Sequence, residues 1–201
     1  MDQALVIFIK NPIEGKVKKR IAADAGDAAA LEIYKNLLDH TRIVADQAEA
    51  TRLLFYSERV VRLDKWSEKK YSKSVQSGND LGERMLNAFK QTTEYDKKII
   101  IGSDCPGLTS DIIEEAYDAL DFHDVVIGPA QDGGYYLLGM TNLVPELFQS
   151  IPWSTDQVLN ETVRVLQNKR LLYKLLPTLR DVDTWEDWQA EKGKLLREQT
   201  I

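Results

Sequence analysis

An α/β fold, with a mostly parallel central sheet and helices on both faces, is predicted by three observations. Short, near-continuous apolar runs recur along the 201-residue chain, as they do in strands buried on both faces. Between them lie segments whose apolar side chains recur at helical spacing. Clusters of Gly, Pro, Asp and basic residues follow the apolar runs, at the strand ends where open α/β sheets hold their ligands.

The elements follow in order. "ALVIFI" (Ala4–Ile9) is an apolar run closed by Lys-Asn-Pro and reads as a buried strand. Ala28–Ala48 reads as a helix, with Leu31, Tyr34, Leu38 and Ile43 on one face. Thr51–Ser57 is a second strand, and Lys73–Gly78 a candidate for a short one. Leu81–Tyr95 is helical, with Leu81, Met85, Ala88 and Phe89 sharing a face. "KKIIIGSD" (Lys97–Asp104) is a further buried strand, and Ser110–Leu120 a helix with a polar start. Asp124–Ala130 and Tyr135–Met140 read as strands joined through a Gly-Gly turn. Ser154–Lys169 opens with a Ser-x-x-Gln capping box and reads as a helix. Leu172–Leu176 is a candidate late strand, and Asp183–Glu198 a helix interrupted by Gly193. The expected organisation is one domain, residues 1–201.

Composition narrows the function classes. A formal net charge of −6 argues against a general nucleic-acid or anionic-membrane surface, which needs a broad basic face. The single cysteine, Cys105, excludes an intrachain disulfide and suits a reducing compartment. No signal peptide or spanning run is legible, so a cytoplasmic location is expected. His40 and His123 lack zinc-site spacing, and no G-x-S-x-G anchors a triad.

Against this acidic background, Phe8–Gly26 gathers Lys10, Lys16, Lys18, Lys19 and Arg20. Pro12 and Gly15 shape a turn after the first strand, and Lys16, Lys18 and Arg20 follow within a few residues. Arg presents a planar fork to phosphate oxygens and Lys a mobile point charge. The G-x-x-x-x-G-K-[ST] pattern of a P-loop is absent. The plain alternative is a solvated basic loop.

Asp104 follows the "IIIGS" strand, where its carboxylate faces the ligand crevice. A carboxylate across a phosphate crevice from basic groups suggests Mg²⁺, which takes one or two carboxylates, phosphate oxygens and waters. A turn role beside Pro106-Gly107 is the alternative. Asp181 and Asp183 fall on one side of an extended segment, so either can supply a second ligand. Asp183-x-x-Glu186 is also a good capping box. Asp132-Gly133-Gly134 is explained by a hairpin turn, or by a role lining the acceptor side. Tyr135 and Tyr136 beside it are core or platform residues. Gln76 is a candidate reader of a nucleobase edge. Gly78 and Gly82 shape the Gly-Asn turn and helix start that favour an anion.

These stretches resemble a known family. F-x-K-x-P-x-x-G-x-x-K-x-R (Phe8–Arg20), Q-x-G-x-x-L-G-E-R-M (Gln76–Met85), G-S-D-C-P-G-L-T (Gly102–Thr109), G-P-A-x-D-G-G-Y-Y-L-L-G (Gly128–Gly139), W-S-T (Trp153–Thr155) and D-V-D-T (Asp181–Thr184) appear in order across most of the chain. The pattern is similar to bacterial GT-A-type transferases of the glycosyltransferase and phospholactate-guanylyltransferase-like kind, within the nucleotide-diphospho-sugar transferase superfamily. The resemblance implies a GT-A fold, a nucleotide donor and a divalent metal, Mg²⁺ or Mn²⁺. It implies that Lys18 and Arg20 bind phosphates and that Asp104 and Asp183 flank the metal. Lys19 departs from the family's usual Thr, adding charge and removing a hydroxyl.

Three activities follow. In the first, a phosphate on a small acceptor attacks the α-phosphorus of a nucleoside triphosphate and pyrophosphate leaves. Lys10, Lys16, Lys18 and Arg20 would then balance the triphosphate's charge. In the second, a nucleotide sugar donates its glycosyl group, and Asp132 is the one nameable candidate for a general base. The third is nucleotide binding without turnover, against which Lys18, Arg20, Asp104 and Asp183 argue together. Base, acceptor and oligomeric state are not legible.

Overall fold

The computed structural model describes residues 2–195. Its sheet joins β1 (Gln3–Ile9), β2 (Thr51–Tyr56), β3 (Tyr71–Val75), β4 (Lys97–Ile101), β5 (Val125–Pro129), β6 (Tyr135–Met140) and β7 (Tyr173–Leu175) in the order β3-β2-β1-β4-β6-β5-β7. β1 pairs in parallel with β2, Ala4 opposite Thr51, and with β4, Gln3 opposite Lys97. β6 lies antiparallel to both β4 and β5. A tight β5–β6 hairpin enforces that reversal, because adjacent antiparallel strands need only a short turn. The α/β class with a mostly parallel sheet is therefore as expected.

Helices cover both faces. α1 (Lys19–Ala25), α2 (Asp27–Gln47) and α4 (Ser110–Ala119) pack on one, and α3 (Leu81–Lys90) and α5 (Val158–Lys169) on the other. Alternation along β1 sends Leu5, Ile7 and Ile9 to the first face and Val6 and Phe8 to the second. The β4 residues are all buried, Lys97 and Lys98 included, and Ile99–Ile101 supply its apolar part. α2 buries Ala30, Ile33, Tyr34, Leu37, Leu38, Thr41, Val44 and Ala45, one stripe at helical spacing.

Several expected boundaries shift, each for a local reason. The basic stretch read as loop contains α1, a seven-residue helix that buries only Ile21, too few apolar positions to show a period. β3 begins at Tyr71, two residues before the expected start, where it pairs opposite Arg52 of β2, and its ring packs edge-on against Trp66. α3 ends at Lys90 rather than Tyr95. The Thr92 hydroxyl donates to Phe89 O, and the chain turns to bring Asp96 and Lys97 onto Asp2 O. The Ser154–Gln157 capping box does not form: Ser154 is left-handed at φ 65° and α5 starts at Val158. The last helix, α6 (Trp185–Glu191), is capped by Thr184 with Asp187, one residue beyond the expected Asp183–Glu186 pair. It tightens into a 3₁₀ turn over Lys192–Lys194, at Gly193. Its expected extension over 196–198 lies outside the described residues.

Candidate active site

The carboxyl ends of β1 and β4, the β5–β6 turn, the segment before α5 and the segment before α6 meet around one cleft of about 490 Å³. Lys10 and Arg20 line it together with Asp104, Asp132, Asp156, Asp181 and Asp183. Leu81, Tyr135, Trp153 and Val158 give it an apolar wall.

Lys18 is not part of the cleft lining but contacts two carboxylates that are. Its backbone is left-handed (φ 47°, ψ 49°) at the entrance to α1, and its side chain is only 5% exposed. The ammonium lies 2.9 Å from Asp104 Oδ2 and 3.3 Å from Asp183 Oδ1, and donates to Val182 O. Burial works against its charge, but Asp104 and then Asp183 outweigh it and hold the pKa above the ordinary lysine value. Arg20 is different: 77% exposed, it stands 3.9 Å from Asp183 Oδ2, a long surface pair.

The shift of the α6 cap explains why Asp183 is available. Thr184 and Asp187 satisfy the helix start, with Asp187 accepting from the Thr184 N–H at 2.9 Å. Asp183 therefore faces cations rather than its own helix. Asp181, two residues earlier, keeps Oδ1 buried without a hydrogen-bond partner, as does Asp104 Oδ1. Burial, then the charges of Asp104 and Asp132, push the Asp181 carboxyl up to about 7; Asp183 adds to this and Lys18 opposes it. Among the described residues, no three His, Cys, Asp or Glu side chains gather closely enough to hold a metal by themselves.

Asp132 Oδ1 accepts from the Gly134 N–H at 2.9 Å, closing the hairpin turn, and the residue lines the cleft. Gly133, at φ 88°, has no room for a Cβ, which would meet the Asp156 backbone. The Leu159 N–H donates to Gly133 O at 2.9 Å, so the turn is docked onto the segment that carries Trp153 and Asp156.

Other candidates are occupied elsewhere. Lys16 pairs with Glu58 at 3.1 Å on the surface and does not line the cleft. Gln76 donates its side-chain amide to Ile9 O (3.1 Å) and Phe55 O (3.0 Å), joining the ends of β1 and β2. Gly15 turns the chain near Asp27, Gly78 fits against the first turn of α3, and Gly82 makes room for the Trp153 indole. The Cys105 thiol is buried and its pKa is pushed up, first by burial and then by Asp181, the opposite of what a nucleophile needs.

Tyr34 was legible only as a core residue of α2. Its hydroxyl accepts from the Lys10 N–H at 2.8 Å, donates to Lys10 O at 3.2 Å and lies 3.1 Å from Ser103 Oγ. It thus ties the end of β1 to the end of β4, one residue before Asp104. Asp156 was also missed, because its segment reads as the start of α5. No sequence signal marks either role.

Fold and cleft together define a transferase of the nucleotide-diphospho-sugar transferase class. The chain belongs to the bacterial family described as "Uncharacterized protein conserved in bacteria (DUF2064)", whose model matches residues 40–155. A structure from Desulfovibrio desulfuricans G20, whose assignment as a nucleotide-diphospho-sugar transferase is itself provisional, shares 30% identity. The match covers 92% of this chain and 84% of that one, with a TM-score of 0.84. A cytidylyltransferase from Leptospira borgpetersenii serovar Hardjo-bovis shares the fold at 18% identity, covering 98% and 89% of the two chains, with a TM-score of 0.57. So does the manganese complex of Rv0371c from Mycobacterium tuberculosis H37Rv, at 13% identity, 94% and 97% coverage and a TM-score of 0.52. No curated protein matches the chain. Among the described residues no helix is long and apolar enough to cross a membrane.

Proposed function

We propose that the chain, acting as one cytoplasmic domain over residues 1–201, is a metal-dependent nucleotidyltransferase. It would move a nucleoside monophosphate from a nucleoside triphosphate to a small phosphorylated acceptor. The observation that carries this reading is the meeting of Lys10 and Arg20 with Asp104, Asp181 and Asp183 around one cleft at the carboxyl ends of parallel strands, with the buried Lys18 ammonium bonded to Asp104 and Asp183. A cleft with that charge pattern suits a polyphosphate bound together with a divalent cation.

The donor set fits such an ion. Asp104 Oδ1 and Asp181 Oδ1 are hard oxygens, buried and without partners, and Asp183 lies beside them. Two carboxylates suffice for Mg²⁺ or Mn²⁺ when phosphate oxygens and water complete the shell. Asp104 would hold it with Asp183 or Asp181, and the ion, when bound, would neutralise charge on the phosphates. The chain's own residues would do the rest by positioning and electrostatics. Arg20 and Lys10 hold phosphate oxygens from the open side, and Lys18 does so from beside Asp104 and Asp183. Asp132 and the wall of Leu81, Tyr135 and Trp153 face the acceptor.

Glycosyl transfer from a nucleotide sugar is the second reading, favoured by the 30% identity to the Desulfovibrio protein. Asp132 would then be the general base. A thermal-shift panel separates the two, with each nucleoside triphosphate and several nucleotide sugars, with and without Mg²⁺ or Mn²⁺. A ligand at 100 times its dissociation constant stabilises by about 2.7 kcal/mol, or several degrees at roughly 2–4 °C per kcal/mol. A metal-dependent shift with one triphosphate, followed by pyrophosphate release with phosphorylated acceptors, supports nucleotidyl transfer. Shifts with nucleotide sugars alone overturn it.

A further inference from the structure

We propose that Lys18 is an internal counter-cation that keeps divalent metal off the Asp104–Asp183 carboxylates until a polyphosphate ligand draws its ammonium away. This rests on the reading above, since it concerns the same metal and phosphate ligands.

The geometry supports it in three ways. First, Lys18 Nζ bridges one oxygen of each carboxylate, at 2.9 Å and 3.3 Å. Those two oxygens are closed to a divalent ion, and an ion on the free Asp104 Oδ1 would share one carboxylate with the ammonium, so the two cations repel in a partly desolvated site. Second, the bridge is built in. The bond to Val182 O, made beside the two carboxylates, fixes the ammonium there, and the side chain is only 5% exposed. Third, the carboxylates do not depend on Lys18 for their spacing. The Val182 N–H donates to Asp104 O at 2.8 Å, tying the two segments through the backbone. When the ammonium leaves, the pair stays assembled for a metal.

A lysine suits this exchange because a flexible four-carbon stem carries a compact charge that can swap one anion for another. A polyphosphate in the cleft offers Lys18 a second partner and brings oxygens for the metal's remaining positions. Metal and polyphosphate then strengthen each other's binding, as linkage requires, and metal alone binds weakly.

The test measures Mn²⁺ binding by the electron paramagnetic resonance signal of the free ion, with no nucleotide present. Wild type is compared with Lys18→Met and Lys18→Gln, each checked for a cooperative melt. Glutamine keeps a donor for Val182 O and carries the test if the methionine variant does not fold. Both variants should bind Mn²⁺ about tenfold or more tightly than wild type, equivalent to about 1.4 kcal/mol, and adding Asp104→Asn should remove the gain. Variants that bind Mn²⁺ no more tightly than wild type overturn the proposal. The functional reading is judged separately, by whether Mg²⁺ with inorganic tripolyphosphate raises the melting temperature of wild type. If it does while the variants show no gain, Lys18 is not the barrier and the nucleotidyltransferase reading stands.

Discussion

Lys18 Nζ and Asp104 Oδ2 lie 2.9 Å apart, although 86 positions separate the residues in the chain (104 − 18). The contact joins the basic stretch after β1 to the carboxylate after β4 and makes one site of two motifs. Replacing Asp104 with Asn keeps the shape of the side chain and removes its charge. Turnover should fall by about 10²-fold or more, the usual cost of deleting a principal electrostatic group, and the metal titration should flatten. A metal dependence identical to wild type would remove Asp104 from the site.

Arg20→Ala separates ligand binding from stability. The side chain is 77% exposed and its pair with Asp183 is long, so the melting temperature should hardly move. Triphosphate affinity should fall roughly ten- to a hundredfold, as for a lost charge-assisted contact of about 1.5–3 kcal/mol. Isothermal titration with the triphosphate identified in the thermal-shift panel reads both sides of this expectation.

Asp181 predicts an unusual pH dependence for the metal-free protein. Its carboxyl is raised to about 7 from an ordinary 3.8, so in that window the folded chain holds a proton that the unfolded chain has lost. Stability contributed by this group is therefore greatest below about pH 4 and falls as pH rises towards 7. Asp181→Asn should flatten that slope and stabilise the protein at pH 7.5, by an amount on the order of a few kcal/mol. Urea melts across this pH range measure it. A variant whose pH slope matches wild type would show that Asp181 is ionised throughout.

Tyr34→Phe removes the hydroxyl that holds both Lys10 backbone groups and touches Ser103. The fold should lose about 1–3 kcal/mol, because the Lys10 N–H is left without its partner. A positioning role further requires kcat to fall while KM for the donor changes little. A purely structural role would lower the melting temperature and leave kcat alone.

Gly133→Ala should destabilise the turn that presents Asp132. The residue is at φ 88° and its added carbon would meet the Asp156 backbone, so the cost is on the order of 1–3 kcal/mol. Gly134→Ala, whose Cβ would stand 3.2 Å from a side-chain oxygen of Asp132 rather than against backbone, should cost less. Equal losses for both would show that the docking against Asp156 is not what holds the turn.

The sequence by itself determined the class of fold and the candidates for its site. Buried strands such as β1 declare themselves as near-continuous apolar runs because both of their faces meet helices. Asp104 declares itself because a strand end is a fixed place for a ligand group in a parallel sheet. Order along the chain also placed Lys18, Arg20 and Asp183 among the candidates. Pairing partners were another matter, since hydrogen bonds and charges form between residues far apart in sequence. Only the tertiary structure turned Lys16 towards Glu58, tied up the amide of Gln76 on Ile9 and Phe55, and moved the α6 cap to Thr184, leaving Asp183 to face Lys18. It alone gave Tyr34, a core residue by its spacing, a hydroxyl between two strand ends. A side chain's type fixes what it can bind, but the packing around it decides which partner it meets.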